Sequence, residues 1–216
     1  MVAATRALTP EILEADLRME DPAALTFQAG QWISVPFGPK TVRAYSIAST
    51  PRASSVITLC ADVAPGGQGS RWFRALAPGA PVTFKGPLGG FVLDRADPRR
   101  PLFVAEEIGI VPVRSILLDL HEADVPRPAT LVYWARDPGW LVYDADFQAL
   151  ARRAATFSYR PVTGGRLADA VADAAPTVDG VVAYVAGGAQ AINAAREVLM
   201  ARGLDRKSVK WEKFYG

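Results

Sequence analysis

The chain has 216 residues, half of them hydrophobic and 21% charged, a composition typical of a globular protein with one large or two small domains. Its formal net charge of +2 is too small to indicate a protein that binds nucleic acid. A single cysteine, Cys60, excludes both an intrachain disulfide and an iron–sulfur cluster held by thiolates of this chain.

The single histidine and the start of the chain exclude further classes. His121 lies in a helical pattern with no neighbours at metal-ligand spacing, which favours a surface or helix-end histidine over a metal site or a Ser-His-Asp triad. No basic start precedes an apolar run, and no segment approaches the roughly 18 apolar residues of a membrane span. The sequence therefore predicts a cytoplasmic protein with no metal and no membrane segment.

Short apolar runs broken by glycine and proline fill the first part of the chain. The runs are Trp32–Phe37, Val56–Ala61, Val82–Lys85 and Phe91–Leu93, and the imperfectly alternating Leu13–Met19 is a further candidate strand. Many short strands at this spacing are typical of a small antiparallel β-barrel. The polar segment from Asp94 to Pro101 predicts an interdomain linker. We therefore expect a barrel domain over residues 1–96.

Strands alternate with helices in the rest of the chain. The predicted strands are Pro101–Ala105, Ala129–Trp134, Thr156–Pro161, Val181–Val185 and Ser208–Trp211. The predicted helices are Pro112–Ala123, Asp144–Arg153, Leu167–Ala174 and Ala189–Arg202. This alternation favours a doubly wound α/β domain over residues 97–216, in which helices cover both faces of a parallel five-stranded sheet.

One barrel strand carries side chains suited to a phosphate and a flat ring. In a strand, Arg43 and Tyr45 point to one face, whereas Ala44 and Ser46 point to the other. An arginine binds a pyrophosphate through two hydrogen bonds, a tyrosine stacks on a ring, and a serine hydrogen-bonds the edge of a heterocycle. An amphipathic strand that contains these residue types by chance remains the alternative.

A glycine-rich turn follows at Pro65–Phe73. Its glycines, including Gly67 and Gly69, permit close approach of the backbone, and Ser70 is placed to cap a helix that begins near Arg71. A turn of this kind at the start of a helix is an anion site. A capped surface helix after a flexible loop explains the pattern equally well.

Together these segments resemble the ferredoxin–NADP reductase superfamily over nearly the whole chain. Ala29–Trp32 resembles the A-G-Q-[FY] strand of the family, Arg43–Ser49 its R-x-Y-S-x-x-S flavin motif, and Gly66–Ser70 its G-G-x-x-S pyrophosphate turn. Gly86–Phe91 follows in the family's order. The resemblance implies FAD rather than FMN, because the turn binds a second phosphate.

The resemblance also implies roles for individual residues. In the family the arginine contacts the flavin phosphates, the tyrosine packs on the isoalloxazine and the serine lies near N5. We therefore expect a flavin site formed by Arg43, Ala44, Tyr45, Ser46, Gly67, Gly69, Ser70 and Phe214, with Ser46 and Tyr215 as catalytic residues. The C-terminal Trp211–Tyr215 resembles the terminal region of the family, so either Phe214 or Tyr215 covers the flavin or fills the domain interface.

The second domain departs from the family where the nicotinamide nucleotide should bind. The family has G-G-T-G-[IV]-[AT]-P. In this chain Glu106, Glu107 and Ile108 replace the first three residues, whereas Gly109 and Pro112 match the motif. A carboxylate about 5 Å from a phosphate charge costs on the order of 3 kcal/mol at an effective dielectric of ~20, or about a hundredfold in affinity. Three interpretations are open: the glutamates repel the nucleotide, they turn to solvent or lie at a helix start and leave a shifted nucleotide site, or a carboxylate fills the anion site at a helix end.

A second departure lies downstream on the same substrate face. The family's Y-[VI]-C-G-[PS] is here Tyr184–Gly188, so alanine stands where cysteine often lies near the nicotinamide, and Gly187 is retained. The loop arginines Arg136, Arg160 and Arg166 are candidates for a 2′-phosphate contact, although such arginines are usually solvated.

The sequence therefore favours an FAD-dependent oxidoreductase that passes electrons between its flavin and an iron–sulfur or other redox protein on a separate chain. Use of NAD(P)H as the donor depends on the path of the glutamate loop. The alternatives are a conventional NAD(P)H:ferredoxin-type reductase and a non-catalytic flavoprotein subunit or sensor.

Overall fold

A computed structural model describes residues 1–122 and 127–214, and the contacts within the chain divide it into two units. The first unit extends from Met1 to Leu93 and includes a later helix from Arg114 onward. The second unit begins at Asp94, three residues before the predicted domain start at residue 97, and contains the rest of the chain.

Six strands and one short helix make up the first 93 residues. They are β1 (Val2–Ala7), β2 (Ile12–Arg18), β3 (Trp32–Pro36), β4 (Val42–Ser46), β5 (Val56–Asp62), α1 (Gln68–Arg74) and β6 (Lys85–Leu88). The strands form two antiparallel sheets within the described ranges, in the orders β1-β2-β5 and β4-β3-β6. An isolated antiparallel bridge joins Ile47, directly after β4, to Leu59 of β5 and so connects the two sheets. The predicted antiparallel barrel-like fold is confirmed.

The core of this unit follows from alternation of apolar residues along the strands. In β3, Ile33 and Val35 are buried, whereas Trp32 and Ser34 are only partly buried. The strand β1 was not predicted from the sequence, because half of its side chains are exposed and it lacks an apolar run. The predicted strand Phe91–Leu93 is wrong: these residues form no ladder, although Phe91 itself is buried.

Five strands and four α-helices follow Leu93 within the described residues, and most of α2 belongs to the first unit. They are β7 (Arg100–Glu106), α2 (Ile110–Glu122), β8 (Ala129–Ala135), α3 (Asp144–Arg153), β9 (Phe157–Thr163), α4 (Leu167–Ala174), β10 (Val181–Gly187), α5 (Ala189–Ala201) and β11 (Val209–Lys213). All neighbouring strands pair in parallel, in the order β11-β10-β7-β8-β9. The predicted doubly wound five-stranded sheet is confirmed.

Successive residues of β8 show that helices cover both faces of this sheet. Val132 belongs to an apolar cluster that includes Val171 of α4 and Ala195 of α5. Its neighbour Tyr133 packs on the opposite face, with its ring 6.3 Å from that of Phe147 in α3. Alternate side chains of a strand point to opposite faces, so the two helix layers enclose the sheet.

The polar segment before β7 is held within the second unit by charge-assisted hydrogen bonds. Arg99 donates from Nε and Nη2 to the Asp97 carboxylate, with the shorter contact at 2.6 Å. Arg127 donates to the carbonyl oxygens of Asp94 and Arg99. The segment that the sequence predicted as a linker is therefore an ordered part of this unit.

We expect the free energy of unfolding to fall in acid as the Asp97 carboxylate is protonated. Its hydrogen bonds from the Arg99 side chain, followed by that from the Arg99 backbone, lower the Asp97 pKa to about 2, below the roughly 3.9 of an unfolded aspartate. The contribution of a carboxyl with a lowered pKa is complete above about pH 4 and is lost as the pH falls toward 2. We expect the urea midpoint of Asp97→Asn to fall less between pH 5 and pH 3 than that of the original protein.

The matched control for this test is Asp179→Asn, which removes an exposed carboxylate from the same unit. Its midpoint should fall with pH as steeply as that of the unsubstituted chain. Equal slopes for Asp97→Asn and Asp179→Asn would contradict the assignment of acid sensitivity to Asp97.

The described ranges contain neither a membrane-spanning helix nor a metal-binding cluster. None of the helices there is long and apolar enough to cross a membrane. No group of three or more histidine, cysteine and acidic side chains is arranged to hold a metal ion in the same part of the chain. His121 lies in the last turn of α2, as predicted for a helix-end histidine.

Candidate functional site

The strand β4 and the first turn of α1 bring together three of the predicted flavin residues. Tyr45 Oη donates a hydrogen bond of 3.3 Å to the carbonyl oxygen of Gly69. A Cβ atom on Gly69 would lie 2.9 Å from Tyr45 Oη and 3.2 Å from Arg43 Cγ. Both side chains therefore pack directly on the helix backbone, and glycine at position 69 is what makes this approach possible.

The ring of Tyr45 belongs to an aromatic cluster. It lies 5.4 Å from Trp72 and 5.5 Å from Phe73, measured between ring centroids, and the residue is 8% exposed. Burial raises the pKa of the Tyr45 hydroxyl to about 12, an effect that the nearby Arg43 only partly offsets. The hydroxyl therefore stays protonated at neutral pH and remains a donor.

Arg43 is exposed beside this turn and has donors left for a ligand. Its Nη1 donates 2.8 Å to the carbonyl oxygen of Val42, one of the five N–H donors that a guanidinium carries. A Cβ on the neighbouring Gly67 would meet no atom within 4 Å, so open space borders the turn. An exposed guanidinium next to a glycine-lined opening fits a pyrophosphate.

Ser70 does not cap α1, and that sequence interpretation is wrong. The helix begins at Gln68, with Gly67 at the cap position and no side-chain cap. Ser70 therefore lies inside the first helical turn, on the same turn as Gly69. The sequence placed the start three residues too late because serine is a favoured cap residue, whereas here the glycine before the turn takes that position.

The other two predicted residues of β4 lie on its second face, as the alternation requires. Ala44 pairs with Ser34 and is exposed, whereas Ser46 pairs with Trp32 and is 5% exposed. Ser46 therefore lies at the inner end of the strand. Its place beside a flavin N5 stays a prediction.

In the second unit, Glu106 ends β7 and its side chain reaches the neighbouring strand. Its Oε2 accepts a hydrogen bond of 2.7 Å from the N–H of Gly188, the residue immediately before α5. A Cβ on Gly187 would lie 2.8 Å from Glu106 Cβ, so a glycine is needed there as well. Of the three interpretations of the loop, the carboxylate at a helix end describes Glu106.

Glu107 is buried and ion-paired, so it does not turn to solvent, but it lies at the start of the short 3₁₀ helix Glu107–Gly109, the other position that the second interpretation allowed. Its two oxygens accept from Nε and Nη2 of Arg136, each at 2.6 Å. The Arg136 guanidinium also lies over the Trp140 ring, 4.0 Å from the centroid. Glu107 is 7% exposed and adopts a left-handed backbone, with φ at +47°.

The rest of the loop packs against the end of β10. Ile108 is 3% exposed, and a Cβ on Gly109 would lie 2.3 Å from the Ala186 carbonyl oxygen. Phe214 donates its N–H at 3.0 Å to the Gly187 carbonyl oxygen. Tyr215, the other predicted C-terminal residue, lies outside the described residues.

Sequence reasoning missed two partners in this region. Gly188 binds Glu106 through its backbone, and the only sequence signal was a second glycine where the family has proline or serine. Trp140 lies under Arg136 from a short 3₁₀ turn, Pro138–Trp140, and no motif marked it. Arg136 was considered for a 2′-phosphate, but the structure pairs it with Glu107.

Comparisons with known proteins agree with this architecture. Residues 2–93 match the family of oxidoreductase FAD-binding domains. The chain is 31% identical to ferredoxin–NADP reductase B of Sorangium cellulosum, with 99% of this chain and 96% of that protein covered. It is 30% identical to the phenol hydroxylase P5 protein of Acinetobacter pittii over 96% of this chain, but it spans only 62% of that protein.

A solved structure supports the fold independently. The cytochrome P450 reductase of Amycolatopsis superposes with a TM-score of 0.89 over 100% of this chain and 68% of its own, at 23% identity. Likeness at that identity establishes the fold alone. Taken with the relative that is matched over nearly its whole length, these findings show that the chain belongs to the ferredoxin–NADP reductase family, as a flavin-dependent oxidoreductase with FAD as its cofactor.

Proposed function

We propose that this chain transfers electrons between FAD, held by a domain of residues 1–96, and an iron–sulfur or other redox protein on a separate chain. The observation that carries the proposal is the contact of Tyr45 and Arg43 with Gly69 at the opening of α1. Two of the relatives, a ferredoxin–NADP reductase and a phenol hydroxylase P5 protein, have names that suggest a redox partner.

Each candidate residue has a separate task in this proposal. Arg43 binds the pyrophosphate together with the backbone of Gly67, Gly69 and Ser70. The Tyr45 ring is held against Trp72, and its packing on Gly69 beside Arg43 fixes the position of the arginine. FAD, when bound, supplies the electron-transfer chemistry, and the protein supplies position and electrostatics.

Residues on the second face of β4 and at the C-terminus complete the assignment. Ala44 and Ser46 line the flavin edge, and the Ser46 hydroxyl hydrogen-bonds near N5. Either Phe214, whose N–H donates to the Gly187 carbonyl oxygen, or Tyr215 covers the ring, as the resemblance implies. A cytoplasmic location and an α/β domain of residues 97–216 are parts of the same proposal.

The test follows the flavin spectrum under anaerobic conditions. We expect purified protein to carry FAD, to lose its absorbance near 450 nm with dithionite, and to regain it when an oxidised [2Fe–2S] ferredoxin is added. The control is the same addition of apo-ferredoxin, which lacks the cluster and should leave the flavin reduced. Protein that never retains FAD, or reduced flavin that no cluster or haem protein re-oxidises, would contradict the proposal.

A further inference from the structure

The end of β7 lies at the point where the strand order of the second unit changes direction. From β7 the chain proceeds to β8 and β9 on one side of the sheet, whereas β10 and β11 lie on the other. In open α/β sheets, ligands bind outside the carboxyl ends of the strands at such a point, with phosphates on free backbone N–H groups. Glu106 and Gly188 occupy this position in the present chain.

The Glu106 carboxylate uses the N–H group that a phosphate would need. Its Oε2 lies 2.7 Å from Gly188 N and would lie 3.1 Å from a Cβ on that glycine, so no second anion fits between them. The carboxylate also carries its own negative charge. A phosphate held about 5 Å away loses affinity by about a hundredfold from that charge alone.

Glu107 removes a second phosphate donor. Arg136 gives two N–H groups to the Glu107 carboxylate and places its guanidinium face on Trp140. Transfer of Arg136 to a ligand would leave a carboxylate that is 7% exposed without its bidentate partner. A buried charge deprived of its partner is unfavourable, so the arginine stays with Glu107.

The cavity beside Glu106 is small. A cavity of about 200 Å³ lies between Glu106, Trp134, Arg166 and the first turns of α4 and α5. Sites for drug-sized ligands have roughly 300–1,000 Å³, and a dinucleotide is larger than most such ligands. The residues present therefore do not fit a pyridine nucleotide in the manner of the family.

We infer that Glu106 and Glu107 act as internal ligands that exclude NADH and NADPH, and thereby determine which electron donors this protein accepts. This inference rests on the proposed function, because it concerns the donor to the same flavin. The donor to the flavin is then not a nicotinamide nucleotide, and the second unit keeps the family's sheet without binding one.

The experiment measures nucleotide binding directly and does not depend on turnover. Calorimetric titration of the FAD-loaded protein with NADPH and with NADH should give a Kd above about 1 mM. The variant Glu106→Gly with Glu107→Gly should bind at least one nucleotide about a hundredfold more tightly. Position 107 already has a positive φ, so glycine there is compatible with the backbone.

Two further variants separate charge from bulk and fold from function. Glu106→Gln keeps an acceptor for Gly188 but removes the charge, and an intermediate Kd is expected. Glu197→Gln removes an exposed carboxylate from α5 and should bind as weakly as the unsubstituted chain. Thermal unfolding of each variant identifies any that fails to fold, and the titration of the unsubstituted protein tests the inference without them.

Micromolar binding of either nucleotide to the unsubstituted protein, or an unchanged Kd in a folded double variant, overturns the inference. Neither result affects the proposed exchange of electrons with a redox protein, which the dithionite and ferredoxin experiment tests separately. Failure to retain FAD overturns the proposed function, and the same titration of the FAD-free protein still reports nucleotide binding to the second unit.

Discussion

The Arg43→Ala protein is expected to lose most of its FAD during purification. Hydrogen bonds to charged groups contribute about 1.5–3 kcal/mol each, and an arginine that holds a pyrophosphate through two of them contributes two decades of affinity or more. The same side chain packs on Gly69 beside Tyr45, so its removal also weakens the packing between β4 and α1. The ratio of absorbance near 450 nm to that at 280 nm, and the Kd from quenching of flavin fluorescence, measure the effect.

Two other arginine substitutions make this result specific. Arg43→Lys keeps the charge but not the planar pair of donors, so its FAD affinity should lie between those of the unsubstituted protein and Arg43→Ala. Arg74→Ala removes an equal charge from the last turn of α1, where Nη1 donates to the Pro10 carbonyl oxygen. It should retain FAD. Retention of FAD by all three variants would exclude Arg43 from the site.

Gly30→Ala is expected to destabilise the first unit by about 4 kcal/mol. The backbone of Gly30 has φ at +96°, and a Cβ there would lie 2.0 Å from the Phe91 carbonyl oxygen and 3.0 Å from Ile116 Cδ1. Strain in this region of φ costs about 1–2 kcal/mol, and overpacking against backbone adds about 1–3 kcal/mol. The midpoint of urea unfolding, measured with FAD in excess, reports the change.

The chain provides a matched control for the backbone strain. Gly38 also has a positive φ, at +131°, but a Cβ there would meet no atom within 4 Å. Gly38→Ala should therefore carry only the conformational cost of about 1–2 kcal/mol. Equal destabilisation by the two substitutions would mean that the close approach to Phe91 does not exist in solution.

Local sequence signals predicted most elements of the second unit, because a local cause fixes their ends. The bounds of α3 and α4 agree with the predicted Asp144–Arg153 and Leu167–Ala174. Acidic residues in the first turn of α3 and arginines in its last turn match the helix dipole. The alternation of Arg43 and Tyr45 in β4 was likewise readable, since it depends only on strand geometry.

The contacts of the glutamate loop could not be predicted in the same way. The partner of Glu106 lies 82 positions further along the chain, and that of Glu107 lies 29 positions away. Parallel pairing of β7 with β10 on one side and β8 on the other brings these groups together. The sequence allowed three interpretations of the glutamates at this point, and the order of strands in the sheet determines which one holds.

The left-handed backbone at Glu107 shows that the main chain of this loop has kept its conformation although its side chains differ from those of the family. The turn keeps a shape that glycine adopts freely, yet it holds a glutamate in place by pairing it with Arg136. An engineer who wanted to couple this flavoprotein to a cellular pool of nicotinamide would therefore not need to redesign a loop. Replacing Glu106 and Glu107 by glycine would leave a main chain that, at position 107, already has a conformation that glycine adopts freely.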